Sequence, residues 1–174
     1  MVEIRALRPD DDRARFRSGN PDLDRFFLRF AGQNQFRHHL GVTYVASEAG
    51  PILGFVTVSA TQLEAGDLPE GVGRNLPRYP LPALRLSRLA VAEDATGRGI
   101  GIALLRFVFQ LAHDMAGQLG CVGVVVDAKS AAVSFYGRLG FSELKITSGQ
   151  LGDRPVATPM FLPLSRIPQQ TGPS

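Results

Sequence analysis

The apolar positions of the chain follow two periodicities, which predict two kinds of element. Short runs rich in β-branched residues predict strands, and apolar residues every three or four positions predict amphipathic helices. The strands are predicted at 2–7, 42–46, 52–60, 84–91, 121–126, 141–146 and 156–164. The helices are predicted at 21–30, 100–116 and 130–139. From residue 84 onward, strands and helices alternate, which favours an α/β fold.

Local signals mark several boundaries of these elements. Asn20 and Pro21 form a typical helix opening, with Asn20 as the N-cap and Pro21 in the first turn. Gly140 is placed to end the last predicted helix. Residues 61–82 carry four prolines and three glycines and show no periodicity. We expect a long loop there, and loops of this length are often functional.

Composition narrows the class of protein. The chain has 174 residues, of which 44% are hydrophobic, so one domain with a proper core is expected. No apolar run approaches the roughly 18–20 residues that span a bilayer, and the first residues lack the apolar region of a signal peptide. The only cysteine is Cys121, which excludes a disulfide framework. A cytoplasmic protein without a membrane segment is expected.

The charge pattern is mildly basic. The formal net charge is +3, and all basic residues except Lys129 and Lys145 are arginines. Arginine suits phosphate recognition, but a GC-rich genome would produce the same bias. His38 and His39 stand alone in sequence, so they are interpreted as solvated loop residues, and no metal site is predicted.

A glycine-rich stretch, residues 96–102, separates the strand that ends at Val91 from a long helix. It has no Gly-Lys-Ser/Thr, which excludes a Walker loop. Counted from Gly97, the sixth position is Ile102, which excludes the dinucleotide fingerprint. Glycines at a helix start nevertheless favour an anion site, because free backbone N–H groups point there. The alternative is a turn that binds nothing.

Two motifs together resemble the GCN5-related N-acetyltransferases (GNAT superfamily). The glycine-rich stretch is similar to their Gln/Arg-x-x-Gly-x-Gly/Ala loop, although Thr96 replaces the usual Gln or Arg. Residues 132–141 resemble their Ala-x-x-Phe-Tyr-x-x-x-Gly-Phe ending. The resemblance implies a single-domain α/β fold, a mixed central sheet flanked by helices, over residues 1–166. Residues 167–174 are expected to be a disordered tail.

The same resemblance implies an acetyl-CoA site. Backbone groups of Leu89, Ala90 and Val91 would pair with the pantetheine amides. The other implied cofactor-binding residues are Thr96, Gly97, Arg98, Gly99, Ile100, Gly101, Ile102, Ala132 and Phe135. Tyr136 would be the general acid that protonates the leaving thiolate of CoA. The alternative for Tyr136 is packing as half of a Phe-Tyr core pair, although Phe135 alone could serve the core.

The upstream half resembles a narrower group, the tRNA-acetylating toxins of bacterial toxin–antitoxin pairs. The resemblance lies in residues 16–27, in 43–46 and in 52–57. It implies aminoacyl-tRNA as the acceptor, a cognate antitoxin protein and a homodimer. The candidate acceptor-binding residues are Arg88, Arg85, Arg78 and Arg17. The alternative for each of them is an ordinary solvated arginine, which is the favoured interpretation for any one of them taken alone.

Two other functions stay open at this point. One is acetylation of a small-molecule or protein amine, with residues 61–82 as a lid over the acceptor. The other is a non-catalytic module that binds CoA or a protein partner. The retained Tyr136 and the intact glycines argue against the second.

Overall fold

The computed structural model describes residues 1–145 and 157–169. Its strands are β1 (Glu3–Ala6), β2 (Val42–Ser47), β3 (Ile52–Leu63), β4 (Leu81–Val91), β5 (Gly123–Ala128), β6 (Ser142–Glu143) and β7 (Thr158–Pro163). Its α-helices are α1 (Pro21–Arg29), α2 (Ile100–Gln118) and α3 (Val133–Arg138). A short π-helical segment, Gln33–Arg37, follows α1.

The chain divides into two compact units, each with its own share of the strands. The first unit comprises 1–59 and 86–108, and the second comprises 60–85 and 109–174. Strands β3 and β4 and helix α2 each run through a unit boundary in sequence. Among the described residues the strand order is β1-β2-β3-β4-β5-β7-β6, so these strands form one sheet.

The first unit is built on antiparallel pairing of β2 with both β1 and β3. Tyr44 lies opposite Val56 in the register of β2 and β3. Helix α1 places Phe26 and Phe27 against this sheet, because both lie on its apolar face. The ring of Phe27 stacks on Phe55 with the ring centroids 4.4 Å apart.

Helix α1 begins where the sequence predicts. The side-chain oxygen of Asn20 accepts hydrogen bonds from the N–H groups of Asp22 (3.0 Å) and Leu23 (3.3 Å). This cap satisfies two of the four N–H groups that a helix start leaves free.

The second unit packs around β5, which is buried along most of its length. Strand β5 pairs antiparallel with β7, placing Val125 opposite Phe161, and β4 and β5 are neighbours joined by α2, a connection typical of parallel strands. Its apolar core includes Leu63, Leu81 and Phe161. Cys121 is buried just before β5, and its thiol donates a hydrogen bond to the carbonyl of Gly123 (3.3 Å).

The structure shortens the predicted loop at 61–82. Strand β3 continues to Leu63 and β4 begins at Leu81. Between them Leu68 is buried at 2% exposure. This side chain anchors the connection to the core, a contact that the irregular sequence pattern does not signal.

The C-terminal boundary also lies later than expected. Ile167 is buried, and its carbonyl oxygen lies 2.8 Å from Nε2 of His113. The ordered chain therefore extends past the predicted limit at residue 166. Residues 170–174 and the predicted strand ends at 146 and 156 lie outside the described residues.

Helix α2 is more apolar than predicted, since no run long enough to span a bilayer was expected. By length and composition alone, with a mean hydropathy of 1.2, it is long and apolar enough to cross a membrane. A core helix of a soluble protein passes the same test, and one such helix is weak evidence. Leu104 and Val108 are fully buried, whereas Arg106 and Asp114 are exposed.

Candidate active site

The glycine-rich stretch, called here the glycine loop (residues 96–102), joins a single 3-10 turn after β4 to helix α2. Gly97 and Gly99 have φ angles of +84° and +76°. These left-handed conformations favour glycine. A Cβ atom built on either residue would have no atom of the described structure within 4 Å. The glycines are therefore required by backbone conformation, and the space above them is open to a ligand.

The loop presents free backbone donors to that space. The first backbone hydrogen bond of α2 runs from the N–H of Ala103 to the carbonyl of Gly99 (3.0 Å). The N–H groups of Ile100, Gly101 and Ile102 have no acceptor among the described residues. Together with the helix dipole, they suit an anion such as a pyrophosphate.

The two polar side chains of the loop point to protein partners. The Thr96 hydroxyl donates to the carbonyl of Ala92 over 3.5 Å. Arg98 forms an ion pair with Glu48. Hydrogen bonds from the N-terminal ammonium group and from Arg98 lower the pKa of Glu48. The backbone of the loop therefore offers free N–H donors to an anion, whereas its two polar side chains already bind other parts of the protein.

The end of β4 lies close to β3 and to the start of α2. A Cβ atom on Gly54 would lie 2.9 Å from the carbonyl oxygen of Ala90 and 2.9 Å from a methyl carbon of Ile100. Ala90 is buried, and Leu89 and Val91 are half-buried. The absence of a side chain at Gly54 thus lets these elements pack closely.

Tyr136 lies on α3, in the second unit. Its ring makes edge contacts with Phe135 (centroids 5.2 Å apart) and Phe141 (5.4 Å). Only 6% of Tyr136 is exposed, and burial raises its pKa to about 12. Its hydroxyl has no hydrogen-bond partner among residues 1–145 and 157–169.

The two neighbours named with Tyr136 occupy less buried positions. Ala132 is the N-cap residue of α3 and is half-buried, as is Phe135. Phe135 alone therefore does not serve the core, because Tyr136 is the buried member of the pair.

The four candidate arginines have different surroundings. Arg85 pairs with Asp127 at 2.5 Å, so its charge is already matched. Arg78 is exposed. Arg17 donates to the carbonyls of Ala14 and Phe16 (2.9 Å each). It also lines a cavity of about 660 Å³.

Arg88 differs from the other three. Its guanidinium carbon lies 3.8 Å from the centroid of the Phe26 ring, within the range of a cation–π contact. Arg88 is exposed as a whole residue, and burial of part of its side chain lowers its pKa, although an arginine remains charged at any physiological pH. No carboxylate of the described residues forms an ion pair with it.

A cavity beside Arg88 was not predicted. It has a volume of about 220 Å³, and all its lining residues belong to the first unit. We call it the hydroxyl pocket, after the side chains that line it together with Phe26 and Arg88: Thr43, Thr57, Ser59 and Ser87. The signal in the sequence is the placing of Thr57 and Ser59 at alternate positions of β3, which becomes meaningful only with the strand register that brings Thr43 of β2 beside Thr57.

Comparisons with known proteins agree with this architecture. The family model "Acetyltransferase (GNAT) domain" matches residues 39–143. The chain is 33% identical over 135 residues to a tRNA-acetylating toxin of Mycobacterium tuberculosis, covering 76% of this chain and 79% of that protein.

Solved structures are similar over nearly the whole chain. A structure described as a bacterial toxin has a TM-score of 0.84 and 28% identity, covering 96% of this chain and 93% of that one. AtaT complexed with acetyl-methionyl-tRNAfMet has a TM-score of 0.81 and 24% identity, covering 96% and 97%. The free N–H groups of the glycine loop fit the pyrophosphate of acetyl-CoA, the acetyl donor of GNAT enzymes. The chain therefore belongs to the GNAT family of acetyl-CoA-dependent N-acetyltransferases.

Proposed function

We propose that this enzyme acetylates the amino group of aminoacyl-tRNA and thereby acts as a translation-blocking toxin. The observation that carries the proposal is the 33% identity to a tRNA-acetylating toxin over 135 residues. An acetylated amino group can no longer attack a peptidyl ester, so the modified tRNA would stop elongation.

The donor side of the proposed site uses mainly backbone groups. The free N–H groups of Ile100, Gly101 and Ile102 would hold the pyrophosphate, with Gly97 and Gly99 keeping the approach open. The end of β4, Leu89–Val91, would pair with the pantetheine amides, and Ala132 and Phe135 would border the same ligand. Acetyl-CoA supplies an acetyl thioester that an amine can attack.

The acceptor amine needs little activation. An α-amino group has a pKa of about 7.7–8.0, so about a tenth or more is neutral at pH 7. A neutral amine can attack the thioester without a strong base. This suits an α-amino group better than a lysine side chain, whose pKa is about 10.4.

Tyr136 would assist the departure of the sulfur. A thiol has a pKa of about 8.5, whereas that of Tyr136 is about 12. The pKa of Tyr136 therefore exceeds that of the thiol by about 3.5, so complete proton transfer from this tyrosine to a thiolate costs about 5 kcal/mol. Donation of a hydrogen bond to the departing sulfur avoids that cost, and the high pKa keeps the donor protonated.

The candidate arginines would contact the acceptor RNA to different extents. Arg88 has no carboxylate partner among the described residues and lies next to Leu89 on β4. It is our principal candidate for a phosphate contact, followed by the exposed Arg78. Arg17 would contribute less because its side chain is used in local hydrogen bonds. Arg85 would contribute least because Asp127 binds it.

The proposal includes a cytoplasmic location, where charged tRNA is found, and two protein partners. One is a cognate antitoxin, since AtaT has been solved with the C-terminus of the antitoxin AtaR. The other is a second copy of this chain, as a homodimer.

One experiment tests the proposed function. The protein is incubated with labelled acetyl-CoA and, in parallel, with bulk charged tRNA, uncharged tRNA or a panel of small amines and proteins. Label on charged tRNA alone is the expected result. Label only on small amines or proteins would contradict the proposal and show that those amines are the acceptors. Binding of acetyl-CoA without label on any acceptor would favour a non-catalytic module.

A further inference from the structure

The hydroxyl pocket contains two buried hydroxyl groups whose side-chain hydrogen bond is made to each other. The hydroxyl oxygens of Thr43 and Thr57 lie 2.8 Å apart, and the two residues are 1% and 9% exposed. Two hydroxyls carry two O–H donors, and only one of them is used between the oxygens. The second donor has no acceptor among the described residues. A ligand oxygen in the pocket would satisfy it.

The rest of the lining adds polarity without negative charge. The Ser87 hydroxyl donates to the carbonyl of Thr57 (3.3 Å) and holds β4 against β3 at this point. Ser59 is half-buried at one side of the pocket. No Asp or Glu lines the pocket, and Arg88 is its only charged side chain. A cationic ligand would therefore meet a like charge with no carboxylate in the lining to offset it.

The position and size of the pocket suit one part of the acceptor. Ser87 and Arg88 immediately precede Leu89, where the donor's pantetheine arm is proposed to pair with β4. A volume of about 220 Å³ accommodates one amino-acid side chain. The backbone at Gly41, on one side of the pocket, packs closely against β3, because a Cβ atom on Gly41 would lie 2.5 Å from the carbonyl oxygen of Val58.

We propose that the hydroxyl pocket holds the side chain of the amino acid being acetylated, and that it selects a side chain that carries a hydrogen-bond acceptor and no positive charge. This inference rests on the proposed action on aminoacyl-tRNA and adds the class of amino acid. Seryl and threonyl acceptors are favoured over their closest apolar analogues, alanyl and valyl. Lysyl and arginyl acceptors are disfavoured by Arg88.

The test varies the amino acid and keeps the RNA constant. One tRNA body that the enzyme acetylates in a bulk pool is charged in turn with serine, alanine, threonine, valine, lysine and glutamate. Acetylation of the α-amino group is followed with labelled acetyl-CoA, and kcat/KM is measured for each. We expect seryl to exceed alanyl, and threonyl to exceed valyl, by about fivefold, the effect of one net hydrogen bond. We expect lysyl to be at least about tenfold below seryl.

Two variants connect the preference to the pocket. Thr57→Val combined with Thr43→Val keeps the shape and removes both hydroxyls of the pair, so the seryl-to-alanyl ratio should fall to about one. Ser59→Leu narrows the pocket, so it should reduce activity on threonyl more than on alanyl. Gln62→Leu, an exposed position on the same strand, is the matched control and should leave both ratios unchanged. Acetyl-CoA binding by calorimetry shows that each variant is folded.

The outcomes separate this inference from the proposed function. If seryl and alanyl react equally in the wild-type enzyme, or if lysyl is preferred, the inference is overturned while action on aminoacyl-tRNA stands. If no charged tRNA is acetylated by a protein that binds acetyl-CoA, the proposed function and the inference both fail. The wild-type ratios decide the matter even where the double variant does not fold.

Discussion

The aromatic contacts of Tyr136 bury its ring, and this burial raises its pKa to about 12. If its hydroxyl donates a hydrogen bond to the departing sulfur, Tyr136→Phe should lower kcat by about 100-fold, the effect of removing one donor aimed at developing negative charge. Acetyl-CoA affinity should change by less than about twofold, because the ring is retained. Steady-state kinetics and calorimetry measure the two quantities.

Tyr79 provides the matched control for that substitution. It is 63% exposed, and Tyr79→Phe should leave kcat unchanged. An unaltered kcat in Tyr136→Phe would assign the residue to packing alone.

The same pKa predicts the pH dependence of catalysis. Tyr136 stays protonated below about pH 12, so kcat/KM should rise through the acceptor pKa of about 7.7–8.0 and then stay level to about pH 10. A raised pKa in the folded state also means that stability is intact below the unfolded pKa of about 10. That stability is lost between about pH 10 and 12. A fall in kcat/KM between pH 8 and 9 would contradict the proposed state of Tyr136.

The ion pair of Glu48 with Arg98 opposes the binding of phosphate at the glycine loop. Glu48 adds a negative charge and occupies the arginine. Glu48→Gln should therefore tighten acetyl-CoA binding by about two- to fivefold, a range typical of an exposed ion pair. Titration calorimetry at low and high salt measures the change, which should shrink as salt screens the charges. Weaker binding in Glu48→Gln would instead show that Glu48 positions Arg98 for the ligand.

At the scale of elements, Gly54 sets how closely β3, β4 and α2 approach. The Cβ atom of Gly54→Ala would contact a backbone oxygen that cannot move aside. We expect a loss of about 1–3 kcal/mol in the free energy of unfolding, the usual cost of overpacking. Chemical denaturation measures it. Gly66→Ala, where no atom lies within 4 Å of the added carbon, should be nearly neutral. Equal effects of the two substitutions would refute the close approach.

The elements that the sequence predicted well carry local signals. Asn20, Pro21 and the spacing of Phe26 and Phe27 define α1 within ten residues, and the structure confirms its start. The glycine loop likewise follows from neighbouring positions, because Gly97 and Gly99 each need a left-handed backbone. Propensity and capping act over short distances, so one sequence reveals them.

The features that escaped prediction depend on distant partners. Thr43 meets Thr57 only through the register of β2 and β3. Glu48 reaches Arg98 across 50 residues of sequence. The π-helical segment Gln33–Arg37 has no characteristic periodicity, and Gln35 fixes it by accepting a hydrogen bond from the N–H of Thr43 (2.9 Å). Sequence spacing alone does not encode these contacts.

At the scale of the whole molecule, the net charge of +3 is too small to bind RNA without local contacts. Binding of charged tRNA should weaken with salt, and the slope of log K against log salt should reflect the phosphates contacted. Arg88→Gln should reduce that slope by about 1. Arg85→Gln should leave it unchanged, because Asp127 already binds Arg85. A larger effect of Arg85→Gln than of Arg88→Gln on the slope would instead assign the phosphate contact to Arg85, in the second unit.

The rate at which the buried thiol of Cys121 reacts can report on opening of the second unit. Cys121 is the only cysteine, and burial raises its pKa, so an alkylating reagent reacts only after the surrounding structure opens. The rate of alkylation therefore reports how often the second unit opens, without any introduced label. A ligand that stabilises that unit will slow the reaction, so the native protein can be screened for acceptors and antitoxins by mass spectrometry.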